Sequence, residues 1–451
     1  MPVDLELLKN CKQDYDTKKS IYFTMQRYYD GKTDAMLQYK MITKRSNNKT
    51  KCNYIQKFIN EEASYCCGNK VTYKSHANSS DVIEDIRYNF MHWKEKHNKE
   101  LCKKSLIFNE AYELYYIDKN GMFSSLICTP LDSYILQDDF GDTQLFIRFW
   151  SKKFDKTNTL YADVYTDEDI SHYTVIGDVF QPIQGKESDS NIFGIVPVSM
   201  VNIGTIFESL FEMLKGLQDG YETNLSDMVN EISDFRNAYL AFINCKLDDD
   251  PDENGKSDLD RMKEKGIMNL PGEKADAKWV IKEINDSFVQ NTLNTLEDKM
   301  YQLASHINNN EKLVSNTSSL ALRNRLIGLE EKCTNNIQAL IDAIKTRLQF
   351  LFIYLNIKKN KNYDWKDIDI KITPNIPTDD LMMSQIISQL DGKISLKTGL
   401  AQLSFVDNVE NEIAELDKEN KDTVLGSKLL NGGSIPLSDG GDNSGGGEGS
   451  A

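Results

Sequence analysis

The sequence predicts a helix-rich α+β protein, and three observations support this fold class. Apolar residues recur at helical spacing in two very long segments and one shorter segment of the C-terminal half. Short alternating segments separated by charged turns predict antiparallel strands between residues 111 and 176. The length of 451 residues is enough for two or three domains, each with a sizeable core.

The N-terminal region is predicted to mix helices with an antiparallel sheet. Residues 52–65 place apolar side chains at three- and four-residue steps, and Gly68-Asn69 then ends this helix before a short strand at 71–73. Residues 111–118 predict a strand that enters a hairpin turn at 119–121. Further strands are expected at 134–136, 145–150, 161–165 and 172–176.

The longest amphipathic pattern occupies residues 206–235. Its apolar positions are Ile206, Leu210, Leu214, Leu217, Tyr221, Leu225, Met228, Ile232 and Phe235. Their steps of three and four residues average about 3.6, near the 3.67 of an eleven-residue repeat, and predict a nearly straight helix about 45 Å long. The other face carries Glu208, Glu212, Asp219, Glu222, Asp227 and Glu231, with Lys215 as the one cation among them. The pattern fits a strut in a larger assembly and equally a buried helix of an ordinary α-rich domain.

The C-terminal half predicts two more helices and several short strands. Strand-like segments at 238–244 and 277–283 flank an acidic turn at 248–255, and a helix follows at 287–306. A polar loop then leads to a very long helix that opens at 315–319 and keeps its apolar stripe to Leu351. A strand at 368–372 and a smaller helical region at 379–420 follow, and the last twenty residues are rich in Gly, Ser and Asp, which predicts disorder.

Charge and cysteine usage limit the function classes. Lys+Arg number 53 against 69 Asp+Glu, so the net charge of −16 does not favour a surface that grips nucleic acid, although DNA can still pass by. The eight cysteines include no Cys-x-x-Cys pair, which predicts reduced thiols in a cytoplasm-like compartment. The longest apolar run, 350–355, is far shorter than the ~20 residues of a bilayer span, so a soluble protein is expected.

Catalytic signatures are not found in the sequence. Asp391-Gly392-Lys393-Ile394-Ser395 has the Gly-Lys of a phosphate-binding loop but Ile387 in place of its first glycine. The five histidines lack metal-ligand spacing, and the acidic run at 248–253 lacks a calcium-loop framework. No Gly-x-Ser-x-Gly elbow occurs. We therefore expect no cofactor, no metal and no enzyme activity, with a nucleic-acid-processing enzyme of unrecognised site as the rival.

A series of short motifs resembles one known family. The motifs are YYDG (28–31), NYI (53–55), EE (61–62), GN (68–69), VTY (71–73), AYELY (111–115), GIVPV (194–198), SD (226–227), NAYL (237–240), SS (318–319), AL (321–322), GLE (328–330) and GKIS (392–395). Each is weak alone, but their order and spacing cover most of the chain, from Tyr28 to Glu412. In this respect the chain resembles the portal proteins of tailed bacteriophages, in the branch found in phages of Gram-positive hosts.

The resemblance implies the portal-protein fold, assembled as a ring of typically twelve subunits at one capsid vertex. The implied regions are an arm and α+β wing (1–200), a first stem helix (201–237), a clip (238–285), a second stem helix (286–307), a tunnel loop (308–319), a long wing helix and strand (320–377), a crown (378–425) and a disordered acidic tail (426–451).

The resemblance also implies partners and a place of action. They are further copies of the chain, the major capsid protein and scaffold, the terminase large subunit, the head-tail adaptor, and double-stranded DNA that passes without sequence specificity. The expected location is the portal vertex of the virion, and the host cytoplasm during assembly. The alternative is another structural protein of tail or injection-apparatus assembly.

Two sets of site residues follow from this plan. We expect the acidic face of the first stem helix and the tunnel loop to line the DNA channel: Glu212, Asp219, Glu222, Asn309, Asn310, Glu311 and Lys312. Ring symmetry would multiply each carboxylate into a belt that repels phosphate, while neighbouring subunits bury the apolar seam. We expect the clip to contact motor and adaptor through Lys246, Asp248, Asp249, Asp250, Asp252 and Glu253.

The tunnel loop departs from the family pattern. Relatives usually have glycines and a Pro-Asp there and a Ser-Gly that opens the long helix, whereas this chain has Asn308-Asn309-Asn310-Glu311-Lys312 and Leu320. The departure leaves the shape of the loop open. Lys312 is either a weak phosphate contact or an ordinary solvated lysine.

Overall fold

The computed structural model describes most of the chain up to residue 375 and short segments beyond it. The described residues are 4–40, 46–186, 188–235, 239–244, 257, 260, 264, 274–280, 286–308, 319–375, 387–389, 393–400, 409 and 412–419. Contacts divide the chain into two units, Met1–Asn375 and Ile376–Ala451. In the second unit, the described elements are helical and include Leu396–Leu400.

The first unit begins with helices that carry their own caps. Helices α1 to α5 occupy Leu5–Tyr29, Asp34–Gln38, Tyr54–Cys66, Ser80–Phe90 and His97–Phe108. The side chains of Asp4, Thr33 and Asn53 accept hydrogen bonds from the first-turn amides of α1, α2 and α3, which satisfies donors that the helices themselves leave unpaired. The sequence patterns predicted α3 but not α1.

The strands form antiparallel sheets, as the alternating patterns predicted. Strands β1 to β10 occupy Thr72–Ser75, Glu110–Ile117, Phe123–Cys128, Ser133–Gln137, Thr143–Ser151, Leu160–Tyr165, Asp169–Ile176, Val179–Pro182, Ser188–Ser190 and Val198–Asn202. The largest sheet has the order β4-β5-β6-β7-β8, with β9 beside β7, and a second sheet has the order β10-β2-β3.

Long helices dominate the rest of the first unit. The predicted stripe begins as a single 3-10 turn, Ile206–Glu208, and continues as α6, Leu210–Phe235. Strands β11 (Tyr239–Ile243) and β12 (Asp276–Val280) pair antiparallel, and α7 (Asp286–Ala304) packs along α6. Helix α8 runs over Ser319–Lys359, and β13 (Ile368–Lys371) pairs with β1. The predicted helix-rich α+β class is confirmed.

Two of the apolar clusters in the core join helices to the sheets. Leu8, Cys11 and Tyr15 of α1 pack on the largest sheet. The second half of α8, including Leu348 and Leu355, packs with residues of β2, β3 and α4 in the other cluster. Helix α8 therefore belongs to the same core as the sheets, although it lies far from them in sequence.

Candidate functional site: helix α6 and the arm that covers it

Helix α6 has two faces with different surroundings. One face is its apolar seam, which is buried at Leu214 and only partly covered at Leu217, Tyr221 and Leu225. Ile232, further along the seam, is 54% exposed. Helix α7 packs beside this seam, where a Cβ on Gly220 would lie 3.9 Å from Leu296. The seam thus stays accessible over much of its length in the single chain.

A second face of α6 carries a polar stripe that is completely buried. Its four side chains, spaced four residues apart and each without exposed area, are Gln218, Glu222, Ser226 and Asn230. Residues four apart in a helix share one face, so these four form a single row. Buried polar groups need hydrogen-bond partners, and the N-terminal region supplies them.

The segment 46–54, which we call the strap, binds this row through its backbone. Alternate strap amides donate to successive stripe side chains: Asn48 N to Asn230 Oδ1 (2.6 Å), Thr50 N to Ser226 Oγ (3.0 Å), Cys52 N to Glu222 Oε1 (3.0 Å) and Tyr54 N to Gln218 Oε1 (3.2 Å). Two residues of extended chain rise about 6.6 Å and four residues of helix about 6.0 Å, so the two repeats nearly match. This match lets four consecutive bonds form in register. We call this set of bonds between the strap and the polar stripe the strap ladder.

The ladder also has return bonds from helix to strap. The Asn230 Nδ2 donates to the Asn48 carbonyl oxygen at 2.8 Å, and the Gln218 Nε2 donates to the Cys52 carbonyl oxygen. The two amide side chains therefore bind the strap backbone as both donor and acceptor. The ends of the row are thereby fixed more firmly than a single bond would fix them.

Helices α1 and α2 engage the acidic residues beside the stripe. Asp219 accepts from Tyr28 Oη at 2.7 Å and from the Ala35 amide at 3.2 Å. Tyr39 Oη donates to Asp227 Oδ1 at 2.7 Å. Burial and the hydrogen bond to Asp219 raise the pKa of the Tyr28 phenol well above its ordinary value, so this hydroxyl remains a donor. Part of the acidic face that we expected to line a channel is therefore bonded to the N-terminal region of the same chain.

The predicted channel residues on α6 therefore need correction. Glu222 does not line an open channel, because its carboxylate has no exposed area and accepts bonds from Cys52, Thr33 and Gln218. Both oxygens of Asp219 are already bonded to the arm. Glu212 is exposed.

The remaining predicted site residues belong to the predicted tunnel loop and clip. The tunnel-loop residues Asn309, Asn310, Glu311 and Lys312 lie outside the described residues, and so do the predicted clip residues Lys246, Asp248, Asp249, Asp250, Asp252 and Glu253. Their roles stay predictions.

A buried ion pair, which the sequence did not indicate, ties α8 to the sheet. Arg347 and Glu113 are both fully buried, and the guanidinium Nε donates to Glu113 Oε2 at 3.0 Å. His97 contacts the other oxygen at 2.6 Å, and the Trp93 ring lies 5.2 Å from the guanidinium. Burial opposes ionisation of Glu113, but the charges of Arg347 and His97 prevail and lower its pKa to about 2.

The described residues contain neither a metal-ligand cluster nor a membrane-spanning helix. No group of three or more His, Cys, Asp or Glu side chains there is arranged to hold a metal ion. None of the described helices is long and apolar enough to cross a membrane.

Comparison with known proteins identifies the structural class. Residues 8–424 match the family model described as "Phage portal protein, SPP1 Gp6-like". The chain belongs to this family of phage portal proteins. It is 21% identical over 432 residues to the portal protein of Bacillus phage SPP1, an alignment that covers 91% of this chain and 81% of that protein.

Two solved structures are also similar in part. A virion of a native gene transfer agent particle contains a chain that matches with a TM-score of 0.43 and 9% identity, covering 80% of this chain and 88% of that one. The neck of an empty gene transfer agent particle gives the same TM-score and coverage at 8% identity. The resemblance stated from the short motifs is thus confirmed by the family match, and the chain is a structural protein of the phage virion.

Proposed function

We propose that the chain assembles into a closed ring, of twelve subunits by the family plan, whose central channel carries DNA during packaging and ejection. The observation that carries this proposal is the different burial of the two faces of α6. The polar stripe is sealed by the strap of the same chain, whereas the apolar seam stays accessible at Leu225 and Ile232. An accessible apolar seam beside a fully covered polar one suits an interaction surface.

A neighbouring copy is the partner that best fits the exposed seam. Phe288 of α7 is 68% exposed, and Leu303 near its end is also exposed, so α6 and α7 both carry exposed apolar residues. A head-to-tail contact between identical subunits forms a ring when the rotation closes. Packing α6 and α7 of one subunit against the next would bury these residues at every position of such a ring.

The channel wall we propose differs from the acidic belt expected at first. Glu212 keeps its role in it because its side chain is exposed, while Glu222 belongs to the strap ladder. The acidic chain, at −16, provides little phosphate-binding surface, which suits DNA that slides without sequence preference. The tunnel-loop residues, Lys312 included, complete the wall in this proposal.

We further propose the partners that the family plan implies. The ring would dock the terminase motor and then the head-tail adaptor through the clip, and it would meet the major capsid protein and scaffold through the wing. Assembly would take place in the host cytoplasm. A protein of tail or injection-apparatus assembly remains the alternative, since it would also use long helices to bind a partner.

Imaging the purified full chain by electron microscopy, with native mass spectrometry for the copy number, tests the ring. We expect rings with a central pore. An Ile232→Glu variant should lose the rings while it keeps its helical circular dichroism, because a charge would enter the apolar seam. The matched control on the same helix is Glu212→Gln, which should still form rings. Rings that persist unchanged in Ile232→Glu would remove the seam from the interface.

A separate assay addresses the enzyme alternative. Nuclease and ATPase activities of the purified chain should both be at background level. Activity that disappears on changing a single carboxylate would favour a nucleic-acid-processing enzyme instead.

A further inference from the structure

Helix α7 ends in a backbone cap at Ser305, and the next residue, His306, packs against α3. Ser305 adopts a left-handed conformation (φ 59°), and the amides of Ser305 and His306 donate to the carbonyl oxygens of Gln302 and Tyr301. This pattern is a Schellman motif, and it places His306 immediately after the cap. The His306 ring packs on Phe58 of α3, with 4.6 Å between ring centroids. The end of α7 is therefore directed onto α3.

His306 contacts a carboxylate with each of its ring nitrogens. Nδ1 lies 2.9 Å from Glu61 Oε2, and Nε2 lies 3.2 Å from Glu62 Oε1. An ionised carboxylate only accepts hydrogen bonds, and a neutral imidazole has only one N–H. Both contacts are satisfied together only when both nitrogens carry protons. With both carboxylates ionised, the geometry therefore fits the imidazolium form.

Glu62 extends the same cluster to helix α8. Its carboxylate is fully buried and accepts from Lys332 Nζ at 2.5 Å and from Asn336 Nδ2 at 3.4 Å. One carboxylate thus holds α3, the end of α7 and α8 together. Truncating it would leave donors from two helices without their acceptor.

The other charged groups around His306 come from all three helices. Lys57 of α3 pairs with Glu61 at 2.9 Å and donates to Tyr301 Oη at 3.0 Å. Asp298 and Lys299 of α7 line a polar pocket beside His306. The thiols of Cys66 and Cys333 interact electrostatically with Glu62. The imidazole ring itself makes hydrogen-bond contacts with Glu61 and Glu62.

We propose that His306 is a proton-operated clamp that fastens the end of α7 to α3 and, through Glu62, to α8. In the protonated form the ring bridges both glutamates. Loss of one proton leaves a nitrogen lone pair facing a carboxylate oxygen, so one bond is replaced by repulsion. Every group involved lies within one chain, so the clamp does not depend on ring formation.

The direction of the pH effect follows from the environment of the ring. Burial disfavours the charged imidazole, but hydrogen bonds and charge from Glu61 and Glu62 outweigh it and raise the pKa of His306 above its ordinary 6.5. A folded-state pKa above the unfolded one means that the clamp contributes its full stability below about pH 6.5. The contribution is lost as the pH rises through the raised pKa. The end of α7 should therefore loosen on the alkaline side.

Hydrogen exchange of the full chain at pH 6 and pH 9, corrected for intrinsic rates, tests the clamp. In the wild type, we expect protection of the peptide covering residues 298–307 to fall roughly tenfold or more between the two values. In His306→Gln the protection should be the same at both pH values, because the amide does not titrate. His76→Gln changes an exposed histidine paired with Asp369 and should keep the wild-type response.

A second variant keeps the test decisive if His306→Gln does not fold. Glu61→Gln removes one of the two negative partners, so the pH midpoint of the protection change should move to a lower value. Wild-type protection that is equal at pH 6 and pH 9 would overturn the clamp. A His306→Gln variant that retains the wild-type pH response, or a Glu61→Gln midpoint that does not move, would overturn it as well.

Discussion

Glu222 provides the sharpest test of the strap ladder. In the Glu222→Ala variant, the Cys52 amide and the Thr33 hydroxyl lose their acceptor, and the Gln218 side-chain amide loses one of its two acceptors. Each unsatisfied buried donor costs about 1–3 kcal/mol. Water that enters the space left by the carboxylate recovers part of this. We expect the strap to be destabilised by about 3–5 kcal/mol, near the top of the range for a single substitution.

Two matched variants separate hydrogen bonding from bulk and charge. Glu222→Gln keeps an oxygen that can accept from the Cys52 amide, so it should cost only about 1 kcal/mol. Glu212→Ala removes an exposed carboxylate from the same helix and should change stability by no more than about 0.5 kcal/mol.

Hydrogen exchange of the strap measures the effect directly. A local cost of about 3 kcal/mol corresponds to roughly a hundredfold faster exchange of the Thr50, Cys52 and Tyr54 amides, since each 1.4 kcal/mol is tenfold. Peptides from the largest sheet serve as an internal reference and should not change. Strap exchange in Glu222→Ala that equals the wild-type rate would refute the ladder as a source of stability.

Further predictions concern the buried ion pair and two glycines. Arg347→Met leaves the buried Glu113 carboxylate without its guanidinium partner, so unfolding in urea should show a loss of about 3–5 kcal/mol, against less than about 0.5 kcal/mol for the exposed Lys345→Ala. The pKa of Glu113 is lowered from the ordinary 4.5 to about 2, so its ionised carboxylate stabilises the fold by about 3 kcal/mol above pH 4.5. This contribution should be lost as the pH falls toward 2. Glu113→Gln should abolish that part of the acid transition. Gly68→Ala would place a Cβ 2.4 Å from Asn375 and should lower the free energy of unfolding by about 1–3 kcal/mol. Gly216→Ala adds a methyl group in open space within α6 and should raise the free energy of unfolding by about 0.5–1 kcal/mol.

The sequence predicted which residues of α6 share a face but not what covers each face. Periodicity records the helix and its apolar seam because both depend on local spacing. The strap is separated from its stripe by 164 or more residues, so no local pattern connects them. One signal was available: Gln218, Glu222, Ser226 and Asn230 recur at a strict four-residue step, and three of the four are uncharged hydrogen-bonding residues. A solvated face has no need of such a row.

The clamp and the buried ion pair were beyond sequence reasoning for the same reason. Glu113 and Arg347 are 234 residues apart, and His306 is 245 residues from Glu61. A buried charge and an exposed charge have identical letters in the sequence, and only the packing of α3, α7 and α8 distinguishes them. The helix-rich α+β class, the antiparallel strands and helices α6, α7 and α8 needed only local periodicity, so these could be predicted, whereas α1 was missed.

The structure of the assembled protein, determined by electron cryo-microscopy on the purified full chain, tests the central claim most directly. That claim is that α6 turns its apolar seam to a neighbouring subunit while its polar stripe stays under the strap. We predict a closed ring with a central pore, Ile232 packed against the next subunit, and Glu222 still bonded to Cys52. Particles without a pore, or a ring in which Glu222 faces the channel free of the strap, would contradict the account.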